Sequence, residues 1–272
     1  MSSRAFPVCS TLCLLLGACS PWAARANDIA LHAGSLDPAQ EAWEVSITGD
    51  SAGAGGSEIT PSGEHAFWDA RDSATDGGIV YGVALGAADL SADWRLEAIV
   101  RVVDAPICPG CADFGDVGVI VRDGLNYWSF YLGNATAGPI SDSGKTGLHS
   151  LLLSKSLDTR ADYHRYDIHF HQNGPGPEDD SADFFIDGVR VFGDVGRSGL
   201  WTSSEQAVSF GAISTAGTGE AHWEWVRFDD GRGVPEPCAM LQFGAGFALL
   251  YFLRSRDRLA AQRHLHRVDP AH

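Results

Sequence analysis

Short stretches in the middle of the chain alternate between hydrophobic and polar residues, which is the pattern of a β-strand with one buried face. The clearest stretch covers residues 94–102. Its apolar positions are Leu96, Ala98, Val100 and Val102, and its charged positions are Arg95, Glu97 and Arg101. The alternation predicts a strand whose apolar positions face a core and whose charged positions face outward.

The same pattern recurs along the chain between about residues 40 and 230. Further predicted strands cover residues 116–122, 126–132, 163–171, 184–186, 189–191, 208–214 and 221–228. The turn-forming dipeptides Asp123-Gly124 and Asp187-Gly188 separate two pairs of these strands and predict hairpins. Helical periodicity is confined to a short stretch at residues 87–92. Many short strands joined by turns predict one all-β domain, an antiparallel sandwich or barrel.

The N-terminus has the three-part layout of a secretion signal. A single basic residue, Arg4, precedes an apolar stretch over residues 6–18, and the small-x-small pattern Ala24-Arg25-Ala26 follows. The apolar stretch is too short to span a membrane as a helix. We therefore expect a signal peptide at residues 1–26. A second processing site remains open, because residues 16–19 resemble a lipoprotein box that would leave a lipidated Cys19.

The C-terminus carries a second apolar segment. The tetrapeptide Val234-Pro235-Glu236-Pro237 precedes an apolar run at residues 238–253, and Arg254, Arg256 and Arg258 follow directly. As a helix the run would be about 24 Å long, slightly less than the hydrocarbon core of a bilayer. The arginines favour a cytoplasmic C-terminal side, so the pattern predicts a single transmembrane helix with the rest of the chain outside.

The proline-rich tetrapeptide, apolar run and arginine cluster of residues 234–258 together resemble a PEP-CTERM sorting tail. The resemblance implies recognition by exosortase, a membrane enzyme, and delivery of the protein to the cell envelope or extracellular matrix. The basic residues 259–272 would form a cytoplasmic tail. Two features depart from the family pattern: Gln242 interrupts the apolar run, and the segment after it is long. Both leave open whether the tail is cleaved.

The order of aromatic strands between the two terminal segments resembles the concanavalin A-like, laminin-G-like jelly roll. Tryptophans mark successive predicted strands at positions 43, 68, 94, 128, 223 and 225. The resemblance covers about residues 40–230 and implies an antiparallel jelly-roll β-sandwich at residues 27–233. It carries no invariant motif, so it bears on the fold more than on the function.

Charge narrows the set of partners. Residues 27–237 contain 12 Lys and Arg and 33 Asp and Glu, a net charge of −21. Such a surface repels nucleic acid, and we expect no nucleic-acid partner. It suits cations, and calcium is the metal that the jelly-roll resemblance implies at a sheet rim. Asp229 and Asp230, followed by Gly231 at the end of the last predicted strand, are the candidate oxygen ligands.

Two of the six cysteines lie between the terminal segments, in Cys108-Pro109-Gly110-Cys111. An exported protein meets an oxidising environment, and between the terminal segments the sequence has no second cysteine pair that could complete a zinc site. We therefore expect a local disulfide between Cys108 and Cys111.

Catalysis would need two carboxylates placed close together. The laminarinase type of hydrolase shares the jelly-roll fold and uses a nucleophile and an acid/base about 5 Å apart. Its single-strand Glu-x-Asp-x-x-Glu pattern is absent from this sequence. Glu97 and Glu224 are the weak catalytic candidates, with Asp167 as another carboxylate that could meet Glu97 across strands.

Sugar binding would need aromatic rings beside hydrogen-bonding groups on an exposed surface. The candidates are Arg101, Arg122, Trp128 and Trp201. Trp128 and Tyr131 point to opposite faces of one strand, so at least one of them belongs to the core. The sequence as a whole predicts an exported cell-surface or matrix protein with a non-catalytic, lectin-like domain that binds carbohydrate or other envelope material. A divergent glycoside hydrolase or lyase and a purely structural envelope protein remain the alternatives.

Overall fold

The computed structural model describes residues 28–86, 90, 92–106, 115–124, 127–142, 149–151, 153–174, 176, 179–196, 205–213 and 217–231. These residues form strands and a single short 3-10 helix, Pro38–Glu41. The strands are β1 Asp28–Ala33, β2 Glu44–Thr48, β3 Ser51–Thr60, β4 Gly63–Asp72, β5 Gly78–Ala84, β6 Trp94–Asp104, β7 Val117–Asp123, β8 Tyr127–Leu132, β9 Thr136–Gly138, β10 Ile140–Asp142, β11 His149–Leu151, β12 Lys155–Ser156, β13 His164–His171, β14 Ser181–Ile186, β15 Val189–Gly196, β16 Gln206–Ala212 and β17 Gly219–Asp229.

Two antiparallel sheets form a sandwich, as the alternation predicted. The larger sheet has eight strands in the order β15-β14-β13-β6-β17-β4-β3, with β1 paired to β17 as well. The smaller sheet has seven strands in the order β12-β9-β8-β7-β16-β5-β2. β10 and β11 form a separate two-stranded ribbon. The sheets pack through aromatic side chains, among them Phe130 against Phe184 and Phe210 against Trp223.

The strand β6 has the predicted division between its two faces. Its apolar positions Leu96, Ala98, Val100 and Val102 are buried in the core. Its charged positions lie on the opposite side of the sheet, between β13 and β17. Because β6 is hydrogen-bonded to β13 on one side and to β17 on the other, its outward side chains lie beside those of both neighbours.

The predicted hairpin at Asp187-Gly188 is confirmed. These two residues connect β14 to β15 and have φ angles of 52° and 77°. Positive φ at both central positions is the geometry of the hairpin turn whose twist matches that of the strands. Asp187 also accepts hydrogen bonds from the backbone N–H of Arg165 at 2.9 Å and from His164 at 2.8 Å, which ties the turn to β13.

A β-bulge interrupts β17 between Trp223 and Trp225. Trp223 pairs with Val100 of β6, and Trp225 pairs with the next residue, Ile99, so Glu224 is the extra residue. On its other side β17 pairs with β4 up to Trp223 and with β1 from Trp225 onward. The bulge therefore lies where β17 changes one of its partners.

Several predictions fall outside the described residues. They concern the signal peptide, Cys19, the tetrapeptide Val234–Pro237 with the apolar run and arginines after it, the Cys108–Cys111 pair and most of the helical pattern at residues 87–92. Within the described residues, no helix combines the length and the apolar composition that a membrane crossing requires.

Gly211 of β16, in the smaller sheet, provides a test of the close contact between β16 and β5. Its φ of +136° is unfavourable for other residues, and an added Cβ would lie 2.1 Å from the carbonyl oxygen of Ile79. We expect Gly211→Ala to lower the free energy of unfolding by about 3 kcal/mol, because backbone strain and overpacking add. Urea unfolding followed by tryptophan fluorescence measures the change.

Gly196→Ala is the matched control for this substitution. Gly196 ends β15, and nothing lies within 4 Å of the position of an added Cβ. We expect a change of no more than about 0.5 kcal/mol there. Equal stability of the two variants would contradict the close contact between β16 and β5.

Candidate functional site

The outward side of the larger sheet holds most of the charged side chains that the strands bring together. We call this surface the outer face. Its central strands β13, β6 and β17 contribute alternate residues, because successive side chains of a strand point to opposite sides. The residues that matter below are Glu58, Asp69, Arg95, Glu97, Arg101, Arg165, Asp167, Glu220, His222, Trp225 and Arg227.

Glu97 lies at the centre of a cluster of three arginines. It pairs across the sheet with Asp167 of β13 and with Arg227 of β17. Its carboxylate forms ion pairs with Arg95, Arg165 and Arg227. Although Glu97 is on the outer face, its side chain is only 1% exposed, because the guanidinium groups cover it. We call Glu97, Asp167 and these three arginines the arginine cluster.

Asp167 is the second carboxylate of the arginine cluster. It accepts a hydrogen bond from Nε of Arg165 at 2.9 Å and a longer one from Arg95 at 3.4 Å, and it is 2% exposed. Arg165 thus bridges the two carboxylates, using its Nη2 for Glu97 and its Nε for Asp167. Charge-assisted hydrogen bonds from two edges of one planar guanidinium fix its orientation.

The arginines themselves reach the surface. The side chains of Arg95 and Arg165 are 29% and 38% exposed. The guanidinium carbon of Arg227 lies 4.4 Å from the centre of the Trp225 ring, a cation–π distance. The outer face therefore presents an indole ring beside planar hydrogen-bond donors whose positions are set by buried carboxylates.

A second group of contacts surrounds Glu58 on β3. Its carboxylate accepts two hydrogen bonds from Arg101, at 2.8 and 2.6 Å, and one from the Tyr163 hydroxyl at 2.8 Å. Nδ1 of His222 lies 2.9 Å from it. Burial alone would raise the pKa of Glu58, but the hydrogen bonds from Arg101, His222 and Tyr163 outweigh it and lower that pKa to about 2.

The two catalytic candidates do not meet. Glu224 bonds to Nδ1 of His65 at 2.8 Å, whereas Glu97 pairs with Arg227, three residues further along β17. In the register with β6, Glu224 lies opposite the step from Ile99 to Val100, two to three residues from Glu97. This corresponds to about 8 Å along the strand, more than the roughly 5 Å that a retaining hydrolase needs. Glu97 and Asp167 do lie side by side, but guanidinium groups occupy both of them, and they act as counter-ions.

The four candidate sugar ligands are scattered. The prediction that Trp128 is a sugar ligand on an exposed surface is wrong. Its side chain is 2% exposed and packs against Trp94 and Phe170 in the core. Its indole N–H donates a hydrogen bond to Asp123 at 3.1 Å. An aromatic ring of this size fills the space between the sheets. Arg122 belongs to the smaller sheet.

Arg122 donates a hydrogen bond to Ser209 at 3.2 Å within the smaller sheet, whereas the arginine cluster lies on the larger sheet. Arg101 is on the outer face, but its guanidinium donates two hydrogen bonds to the carboxylate of Glu58. Trp201 lies outside the described residues. Of the three candidates within the described residues, Arg101 alone lies on the outer face, and it has a carboxylate partner.

The predicted calcium ligands lie at the end of β17. Asp229 accepts a hydrogen bond from the backbone N–H of Gly231 at 2.8 Å, a local turn contact, and the side chain of Asp230 is buried. The calcium prediction remains a prediction. Among the described residues, the group of side chains close enough to hold one metal ion lies elsewhere, at Asp69, Glu220 and His222.

The sequence interpretation named Arg95, Glu97, Arg101 and Asp167, and it missed the residues that β3, β4 and β17 contribute: Glu58, Asp69, Glu220, His222 and Arg227. Arg165, Asp167 and His169 alternate on one strand, and Glu220 and His222 alternate on another, so a polar face was visible in each strand. Burial and nearby Arg95 lower the pKa of His169 to about 4, so this imidazole is neutral at physiological pH. Only the cross-strand register shows that these faces adjoin.

No protein-family model matches the sequence, and no curated protein matches it. Solved structures are similar to it. A carbohydrate esterase, vb_24B_21, from the Shiga toxin-encoding bacteriophage phi24B matches with a TM-score of 0.51 at 13% identity, over 74% of this chain and 97% of that one. Botulinum neurotoxin type C, whose cell entry depends on two ganglioside molecules, matches with a TM-score of 0.42 at 10% identity.

The neurotoxin match covers 69% of this chain and 43% of the toxin chain. The binding domain of Paraclostridial Mosquitocidal Protein 1 matches with a TM-score of 0.43 at 10% identity, over 81% of this chain and 52% of that one. At these identities the similarity to the phage protein shows a common all-β sandwich fold and no more.

Proposed function

We propose that this chain is a non-catalytic, exported protein that binds carbohydrate through the outer face of the larger sheet. The observation that carries the proposal is the arginine cluster with Trp225 beside it. Indole rings stack on sugar rings, and guanidinium groups donate directed hydrogen bonds to hydroxyl and carboxylate oxygens. Both kinds of group are present on one surface here.

Pre-organisation favours binding at this surface. Arginine side chains normally lose conformational freedom when they contact a ligand, and that loss weakens binding. Here Arg165 and Arg227 are already held by Glu97, and Arg227 is also held by Trp225. A sugar would meet donors in fixed positions, so little of this cost remains.

The surrounding features are consistent with this role. The sandwich resembles in fold a phage protein described as a carbohydrate esterase, and the jelly-roll resemblance of the sequence implies a lectin-like domain. The signal peptide and the PEP-CTERM-like tail would deliver the domain to the cell envelope or matrix, with exosortase as the processing partner. Polysaccharide is the abundant ligand in that location.

The proposal predicts that Trp225→Ala weakens carbohydrate binding about tenfold, because the stacking surface is lost. A glycan and polysaccharide array of the purified full chain identifies a ligand, and titration against that ligand gives the Kd. Ile47→Ala is the matched control, since Ile47 is an exposed apolar residue on the smaller sheet, and we expect it to leave the Kd unchanged.

Arg165→Ala should weaken binding further, while Arg160→Ala, which removes an exposed arginine from a turn, should not. Thermal unfolding of each variant checks that the fold is retained. If the array shows no binding, or if Trp225→Ala and Arg165→Ala bind like the parent, the outer face is not a carbohydrate site and a purely structural envelope role gains support.

Glu97→Gln separates a structural from a catalytic role of the arginine cluster. The substitution removes the buried charge that compensates three arginines, and we expect a loss of about 3 kcal/mol in the free energy of unfolding. Glu64→Gln, at an exposed position of β4, should change it by less than about 0.5 kcal/mol. Release of reducing ends from a bound polysaccharide by the parent, abolished by Glu97→Gln, would contradict a non-catalytic role.

The proposed export and sorting predict the location of truncated chains. Removal of residues 234–272 should move the protein from the envelope fraction to the medium, because the apolar run and the arginines are lost. Replacement of Pro235 and Pro237 by alanine keeps the apolar run and tests the tetrapeptide alone. Immunoblots of the cell fractions measure the distribution. Retention of the truncated chain in the envelope would contradict the anchoring role of this segment.

A further inference from the structure

Three metal-ligating side chains meet on the outer face at the pairing of β4 with β17. Asp69 of β4 is the cross-strand partner of His222 of β17, and Glu220 lies two residues before His222 on the same side of the strand. One carboxylate oxygen from each acid and a ring nitrogen of His222 lie within 4.8 Å of one another. All three residues are half-buried, so their side chains are partly shielded from water.

Glu58 determines which nitrogen of His222 is available. A carboxylate only accepts hydrogen bonds, so the 2.9 Å contact with Nδ1 requires the proton on that nitrogen. Nη2 of Arg101 also lies 3.1 Å from this Nδ1, but it donates its hydrogen bond to Glu58 at 2.6 Å, and with the proton on Nδ1 the 3.1 Å contact is not a hydrogen bond. Nε2 then keeps its lone pair, which is the form of histidine that binds a metal.

The imidazole is also fixed in orientation. Its ring stacks on Phe67 at a centroid distance of 3.6 Å with an interplanar angle of 6°. Gly56 of β3 leaves room for that stack, because an added Cβ would lie 2.8 Å from the Phe67 ring. A carboxylate behind a histidine that is held in place is the usual outer arrangement around metal-binding imidazoles.

Asp69 supplies an independent indication of a missing partner. Its Oδ1 is buried and has no hydrogen-bond partner within the described part of the chain. A carboxylate oxygen of Glu220 lies within 4.8 Å of a carboxylate oxygen of Asp69. An unpartnered buried oxygen beside a second carboxylate is unfavourable in itself. A cation between the two would satisfy the oxygen and remove the repulsion.

We propose that Asp69, Glu220 and His222 bind one divalent transition metal ion of the zinc type, with Glu58 as the positioning residue behind His222. One imidazole nitrogen and two carboxylate oxygens suit zinc better than calcium, which takes oxygen ligands alone. Three protein ligands leave a fourth position of a tetrahedral ion for water. This proposal does not depend on carbohydrate binding by the arginine cluster.

Titration of the metal-free full chain with Zn²⁺ by calorimetry tests the site. We expect one site whose affinity falls more than tenfold in Asp69→Asn and in His222→Gln. His171→Gln is the matched control, because His171 is a partly exposed histidine of β13 and its loss should leave this affinity unchanged. Co²⁺ in place of Zn²⁺ should give the visible absorption bands of a tetrahedral ion in the parent and in His171→Gln, and not in the other two variants.

Glu58→Gln tests the positioning role. The amide oxygen can still accept the Nδ1 proton, but the negative charge is lost, so the stoichiometry should remain while the affinity for Zn²⁺ falls about 10- to 100-fold. An affinity equal to that of the parent would show that Glu58 does not act on the metal through His222.

Thermal unfolding distinguishes loss of the site from loss of the fold. Without metal, Asp69→Asn should unfold at a temperature no lower than the parent, because it removes an unpartnered carboxylate and its repulsion with Glu220. With Zn²⁺, the parent should gain thermal stability and Asp69→Asn should not, since a ligand stabilises only the state that binds it. Absence of one-site binding in the parent, or equal binding by Asp69→Asn and His222→Gln, would overturn the proposal.

Discussion

The charge of Glu97 is balanced by three guanidinium groups in the middle of the larger sheet, and the order of the outer face depends on that balance. β6 is a central strand, so both sides of Glu97 are occupied by the neighbouring strands β13 and β17. A carboxylate that is 1% exposed is unfavourable by several kcal/mol unless cations and hydrogen bonds compensate it. Arg95, Arg165 and Arg227 are therefore confined to the positions where they can do so.

Confinement gives the arginines a second property that isolated surface arginines lack. Exposed ion pairs contribute little to stability, because long side chains lose conformational freedom when they pair. In the arginine cluster the side chains lose this conformational freedom on folding, because the buried carboxylates require the arginines as partners. The side chains of Arg95 and Arg165 are held in this way and are still partly exposed to solvent. A structural requirement of the sheet thus produces a surface suited to recognition.

The sequence predicted the parts of this structure that depend on local pattern. The alternation of β6 and β13 and the turn at Asp187-Gly188 specify strands and a hairpin by themselves. The clusters depend on register between distant strands, which local pattern does not contain. Glu58 shows the difference: it lies on β3, whose run of glycines carries no apolar alternation, yet it pairs with Arg101 of β6 and removes that residue from the list of free sugar ligands.

The bulge in β17 explains how the arginine cluster and the group of Asp69, Glu220 and His222 lie on the same face of the sheet. His222 and Arg227 are five residues apart, and a regular strand would direct an odd separation to opposite sides of the sheet. The extra residue, Glu224, allows the side chains of both His222 and Arg227 to point outward. The register with β6 shows this, because their partners Arg101 and Glu97 are four residues apart, an even separation. Without the bulge, either His222 or Arg227 would point into the core, where neither would find its carboxylates. The irregularity in the last strand is therefore the feature that places the histidine beside Asp69 and Glu58 while keeping Arg227 over Glu97.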